Sequence, residues 1–178
     1  ASRDIRHNQA GKSYYQQVFL QCVNLWKSHD AVKALVFRAL VVIRSDHFDD
    51  YFDFFSADAI WMMPSSNKDV SLEEAKGFYG FTRNFWFDQQ TDIEELVVSE
   101  DMAFVRVSFD GYLRSKKDAS VAPLRSVSRH IWILRRQVDN KWLITRDIWN
   151  NPKTASQSDS ASNATAQRSF VSKPRRSK

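Results

Sequence analysis

SRHIWILRRQVDNKWLITRDIWN, residues Ser128 to Asn150, decides the fold. Two runs rich in Ile, Trp, Leu and Val flank Asp139-Asn140, which is the signature of a short β-hairpin. A two-residue loop sets Val138 opposite Lys141, Trp132 opposite Asp147 and His130 opposite Trp149. Side chains alternate between the faces of a strand. One face therefore carries His130, Trp132, Leu134, Thr145, Asp147 and Trp149. The other carries Arg129, Ile131, Ile133, Arg135, Ile144, Arg146 and Ile148. Large apolar groups on both faces predict a sheet covered by helices on one side and by a partner on the other. The first face also sets an imidazole diagonal to a carboxylate, at the roughly 7–8 Å that long side chains or one water can bridge.

Other elements follow outward from the hairpin. Met102 to Arg114 alternates as a long strand, with Ala103, Val105, Val107 and Phe109 on one face and Phe104, Arg106, Ser108, Asp110 and Tyr112 on the other. Glu100-Asp101 turns into it from a strand over Asp92 to Ser99. Ser71-Leu72-Glu73-Glu74 fits a capping box and opens a helix to about Phe85. Ala59 to Met63 reads as a strand ended by Pro64. His47 to Phe55 reads as a short helix with Asp49, Asp50 and Asp53 outward. Upstream, the apolar spacing predicts a helix over residues 13–28 and a second one capped by Asp30. That second helix is apolar nearly all round, so it is expected to be buried. Helices first and consecutive strands afterwards define an α+β class. A curved sheet around helices leaves an open end, and a pocket there is the expected site.

The 178 residues divide into an N-terminal helical extension (1–30), an α+β body (31–151) and a polar, basic tail (152–178) without periodicity, expected to be disordered. Of the net charge of +5, all is carried by the tail, where Lys153, Arg168, Lys173, Arg175, Arg176 and Lys178 face only Asp159. The rest of the chain is neutral and gives no electrostatic case for nucleic acid, although the tail suits an anionic partner. The single Cys22 excludes an internal disulfide and reads as a buried thiol in a reducing compartment. No apolar run approaches the ~18 residues of a membrane span, and the first residues do not resemble a secretory signal. A cytoplasmic location is expected, with the nucleus as the alternative suggested by the tail.

SDHFDDYFDFFSADAIWMMP (45–64) resembles the helix-to-first-strand passage of the nuclear transport factor 2-like superfamily, in its SnoaL-like branch. WLITRDIWN (142–150) resembles that branch's closing strand. The resemblance spans about residues 31–151. It implies a cone-shaped α+β barrel, with N-terminal helices packed in a strongly curved, mostly antiparallel sheet, a deep apolar pocket, and frequent dimers through the sheet's outer face. The superfamily holds ketosteroid isomerases, polyketide cyclases, dehydratases, kinase association domains and many non-catalytic members, so function must be argued from the site. The isomerase base should follow the first strand, where Met62-Met63-Pro64-Ser65 offers no carboxylate. Polyketide cyclases, which use an Asp and a His near the last two strands, are the better match.

Asp147 and His130 are therefore the expected catalytic pair, Asp147 moving a proton and His130 polarising a carbonyl. Trp149, Trp61, Tyr112, Met63, Asp110 and Trp132 are the expected ligand-binding residues. No glycine-rich phosphate loop and no HExxH spacing is present, so neither a cofactor nor a metal is expected. Two functions remain open: a cofactor-free cyclase, isomerase or dehydratase acting on a small apolar carbonyl compound, or a non-catalytic module that binds a ligand or assembles partners. The apolar stripe of Ile131, Ile133, Ile144 and Ile148 predicts a homodimer.

Overall fold

The computed structural model describes residues 2–45, 47–64 and 66–152. The expected tail lies outside the described residues, apart from its first position. The chain begins with one helix, α1 (Ser2–Ile43), not two. Asp30 lies exposed on its surface beside His29 and caps nothing. A capping residue starts a helix only where the preceding one has ended, and no Gly or Pro stands between Lys12 and Asp30 to end it.

Among the described residues, only one stripe of α1 is buried. Val32, Leu35, Val36, Ala39, Leu40 and Ile43 enter the core, whereas Phe37 and Val41 are exposed. The expectation of an all-round buried helix is corrected accordingly. Between residues 16 and 27 the helix is mostly bare: Phe19 is 67% and Trp26 68% exposed. Cys22 is exposed too, and is not the buried thiol expected. Arg136 ties this region down by donating from Nη2 to Ser28 Oγ at 2.7 Å.

A 3-10 turn over Phe48–Phe54 follows, with Phe48, Tyr51 and Phe52 buried and its three aspartates exposed. Then come β1 (Phe55–Met62), the two-residue β2 (Val70–Ser71), α2 (Leu72–Phe78) and a second 3-10 turn (Tyr79–Asn84). The predicted capping box is present: Ser71 and Glu74 each bind the other's backbone N–H. The remaining strands are β3 (Phe85–Ser99), β4 (Met102–Ser115), β5 (Leu124–Arg136) and β6 (Trp142–Asn150). They form one sheet in the order β2-β1-β6-β5-β4-β3. Every neighbouring pair is antiparallel except β1 and β6, which run parallel. The sheet is curved and unclosed, giving the cone-like α+β fold expected.

The buried stripe of α1 packs with Ala103, Val105, Val107, Trp132, Leu134, Ile144 and Trp61 from the inner face in one apolar core. Each large side chain taken fully out of water there contributes roughly 1.5–3 kcal/mol. One glycine is required by packing. A Cβ on Gly111 would lie 2.2 Å from the Asp88 carbonyl oxygen, so only glycine lets β3 approach β4 this closely.

The central hairpin reaches its predicted register by a different route. Its loop has three residues, Val138-Asp139-Asn140. Gln137 N–H donates to the Lys141 carbonyl at 2.7 Å and Asn140 N–H to the Gln137 carbonyl at 2.9 Å. Asn140 adopts a left-handed φ of 64°, which asparagine tolerates. Near the loop, Arg136 therefore pairs with Trp142 and Leu134 with Ile144. A bulge beside Ile133 then absorbs one residue, and beyond it Trp132 pairs with Asp147 and His130 with Trp149. The displaced register turns Ile144 inward, where it is fully buried. Ile144 thus leaves the outer stripe to which the sequence assigned it.

Candidate functional site: a buried acid–imidazole–hydroxyl relay

Three side chains from β5 and β6 form a hydrogen-bonded line on the inner face. His130 Nδ1 lies 2.8 Å from Asp147 Oδ1, and His130 Nε2 lies 3.0 Å from Ser128 Oγ. Alternation on β5 puts Ser128 and His130 on one face, and the restored register brings Asp147 beside them. With Asp147 ionised, Nδ1–H donates to the carboxylate, and the bare Nε2 accepts the Ser128 hydroxyl proton. Asp147 is fully buried and the His130 side chain is 12% exposed. The line therefore runs from the dry core towards solvent. Trp149 stacks on the imidazole at 5.4 Å with planes 8° apart, and Phe109 meets it edge-on at 5.0 Å. These rings fix the imidazole's orientation.

Asp147 is only half satisfied. Among the described residues its Oδ2 has no hydrogen-bond partner, and neither do the indole N–H groups of Trp61, Trp132 and Trp149. Trp61 is its neighbour across the β1 ladder and Trp132 across the β5 ladder. A buried, unpaired carboxylate oxygen costs about 1–3 kcal/mol, which is the kind of deficit functional sites retain. Tyr51 and Tyr79 also face this charge. Both phenols are pushed well above their ordinary range, first by burial and then by the Asp147 carboxylate.

The expected site residues divide. Asp147, His130, Trp149, Trp132 and Trp61 come together on the inner face, and Met63 packs partly buried against the core. Asp110 and Tyr112 do not join them. They lie on the outer face of β4, opposite in direction to Val107 and Phe109. Arg125 pairs with Asp110 at 2.6 Å and stacks over the Tyr112 ring, which is 43% exposed. The hydrogen bond from Arg125 holds the Asp110 carboxyl below its ordinary range. The alternation of β4 already separated these two residues from the inward set.

Ser128 is the member that sequence reasoning missed. Its signal was its position two residues before His130, on the same strand face. Among the described residues, two surface depressions stand out. One lies between α1 and the β3–β4 turn, around Gln21, Asn24, Asp101 and Arg136. The other lies between Phe37, Val41 and Arg44 of the α1 end and Gln90 to Ile93 of β3. Neither includes His130 or Asp147. Among the described residues, no three His, Cys, Asp or Glu side chains converge to hold a metal ion, and no helix is long and apolar enough to cross a membrane.

A curved, unclosed sheet over a helix is the architecture of the nuclear transport factor 2-like fold, and the chain has that fold. A ketosteroid isomerase-like protein from Erwinia carotovora atroseptica superposes with a TM-score of 0.59 at 20% identity, covering 71% of this chain and 97% of that one. A protein of unknown function from Mycobacterium tuberculosis reaches 0.63 at 15% identity, over 84% and 90%. A nuclear transport factor 2-like superfamily protein from Salmonella enterica reaches 0.56 at 11% identity, over 74% and 95%. No protein-family model matches the sequence, and no curated protein matches it.

Proposed function

We propose that the protein is a cofactor-free enzyme of the cyclase, isomerase or dehydratase type, moving a proton on a small apolar carbonyl compound through His130 and Asp147. The observation that carries this reading is the 2.8 Å contact between His130 Nδ1 and a fully buried Asp147. The burial favours a division of labour different from the one first expected. Asp147 is shut off from any ligand, so it acts as a positioning residue that fixes the tautomer of His130. His130 Nε2 is the atom that exchanges a proton with the ligand, as a general base or acid does. The likeness to a ketosteroid isomerase-like protein supports the reaction class at the level of fold only.

The test is α-proton exchange of an apolar cyclic ketone such as 2-tetralone in D2O, followed by NMR. The wild-type chain should accelerate exchange over buffer, and His130→Gln should lose that acceleration by roughly the 10²–10⁴-fold typical of a lost acid–base group. Equal rates for wild type and variant would sink the catalytic reading.

A second reading is favoured by the complete burial of Asp147 and the near burial of His130. In it the pair is a structural element of a ligand-binding or association module. Native mass spectrometry of the purified chain discriminates: a retained small molecule or a partner-bound form without exchange activity selects this second reading.

A further inference from the structure

We propose that Ser128 is a nucleophile, and that Ser128, His130 and Asp147 give the chain an acyl-transfer activity towards small esters with apolar acyl groups. The proposal rests on the reading of His130 and Asp147 as an acid–base pair, but it assigns a residue and a bond-making step that proton transfer alone does not need.

Three observations converge. The first is the unbroken order of hydroxyl, imidazole and carboxylate, with contacts of 3.0 and 2.8 Å. A serine hydroxyl is a weak nucleophile until an adjacent base takes its proton, and the base needs a third group to orient it. The second is the gradient of burial along the line. Asp147 is sealed, His130 is nearly so, and Ser128 is partly exposed, so the hydroxyl is the end that a ligand reaches. The third is the Trp149 indole N–H. It has no partner and belongs to the ring stacked on His130. It is a buried donor left unpaired beside the imidazole, the kind of group that a developing oxyanion needs. Phe109 and Trp149 flank the imidazole and suit an apolar acyl chain rather than a charged one.

The chemistry balances without a cofactor. Ser128 Oγ forms a bond to the ester carbonyl carbon as its proton passes to His130 Nε2, and the carbonyl π pair moves to the carbonyl oxygen. Collapse re-forms the carbonyl and breaks the bond to the alcohol oxygen, which leaves with the proton from Nε2. Water then attacks the acyl-Ser128 ester and gives its proton to Nε2. The second collapse releases the acid and returns that proton to Ser128. The net reaction is ester plus water to acid plus alcohol.

The full chain should be treated at pH 8 with an alkyl fluorophosphonate, which phosphonylates an activated serine with loss of fluoride. The expected result is a single adduct mapping to Ser128, absent in Ser128→Ala. His130→Gln should label at least 10²-fold more slowly, and wild type should hydrolyse 4-nitrophenyl butyrate with a burst. A folded wild-type chain that gives no adduct on Ser128 overturns the proposal, whatever the variants do. An adduct that forms equally fast in His130→Gln overturns it as well. The ketone-exchange assay separates the two readings. Exchange without a Ser128 adduct removes this proposal alone. An adduct without exchange upholds it and removes the lyase or isomerase substrate class.

Discussion

Thr145 Oγ1 donates a hydrogen bond to the Ile133 carbonyl at 3.2 Å, at the point where β6 takes up one extra residue against β5. That contact anchors the bulge, and the bulge offsets the three-residue loop. Without it, Asp147 would face the outer side of the sheet, because a one-residue slip exchanges the faces of a strand. Thr145→Val should therefore cost about 1 kcal/mol. Deleting Thr145 removes the extra residue itself and leaves Arg146 opposite Ile133 and Asp147 opposite Trp132, so the variant should keep a cooperative urea transition. Loss of that transition would show that the bulged residue does more than offset the loop.

His130 should be held as the Nδ1–H tautomer by Asp147. In ¹⁵N spectra of the imidazole near pH 8, wild type should show a bare Nε2. Asp147→Asn should keep the fold at a cost of about 1–3 kcal/mol and redistribute the tautomers. A wild-type ring protonated at Nε2 alone would contradict the relay.

Tyr51 and Tyr79 predict an alkaline limit to stability. Both phenols are raised in the folded state, mainly by burial, whereas in the unfolded chain they ionise near 10.0. Above that pH the folded state binds more protons than the unfolded one, so stability falls as pH rises. Their contribution is fully present below pH 10. Tyr79→Phe should flatten the decline in melting temperature between pH 10 and 11, and an unchanged slope would argue against a buried Tyr79 hydroxyl.

Much of this was legible beforehand, for identifiable reasons. Period-two alternation gave the inner faces of β4 and β5, because burial there demands strict alternation. The capping box at Ser71 is a local contact written in adjacent residues. Other features depend on distant partners. The Asp139-Asn140 signal does not distinguish a two-residue from a three-residue loop. Its misreading was cancelled at His130 by a bulge for which the sequence has no marker, but not at Ile144. Asp30 carries a capping side chain, yet what precedes it is already helical. Cys22 follows helical spacing on a stretch of α1 that is exposed among the described residues. Tyr112 shows how aromatic character can outweigh a face assignment that the alternation of β4 had settled.

Gly111→Ala should be among the most destabilising single-methyl additions in the chain. Its Cβ would meet backbone, 2.2 Å from the Asp88 oxygen and 2.7 Å from Gln89 Cα, and backbone cannot rotate aside. A loss of about 1–3 kcal/mol or more is expected from the forced separation of β3 and β4. A urea midpoint within error of wild type would mean that the two strands separate at no cost.

The outer face predicts self-association. Ile131 is exposed there, and Ile133 and Ile148 are half-buried; Arg129, Arg135 and Arg146 surround them. We propose that this stripe, without Ile144, forms a twofold contact. Sedimentation velocity at micromolar concentration should give a dimer that Ile131→Glu dissociates. A monodisperse wild-type monomer would remove this proposal.

The parallel ladder between β1 and β6 ties the start of the sheet to its end. Trp61 meets Asp147, its partner across a long stretch of chain, and until β6 exists β1 has only the two-residue β2 to pair with. A ribosome making this protein must therefore release almost all of the body before the core can close. Loop closure over such a span is costly, and folds dominated by distant pairings are slow to form. The long N-terminal helix, local in its hydrogen bonds, is complete while its buried stripe still waits for a cover. The nascent chain thus carries an uncovered apolar helix through most of its synthesis, the kind of surface that holdase chaperones bind.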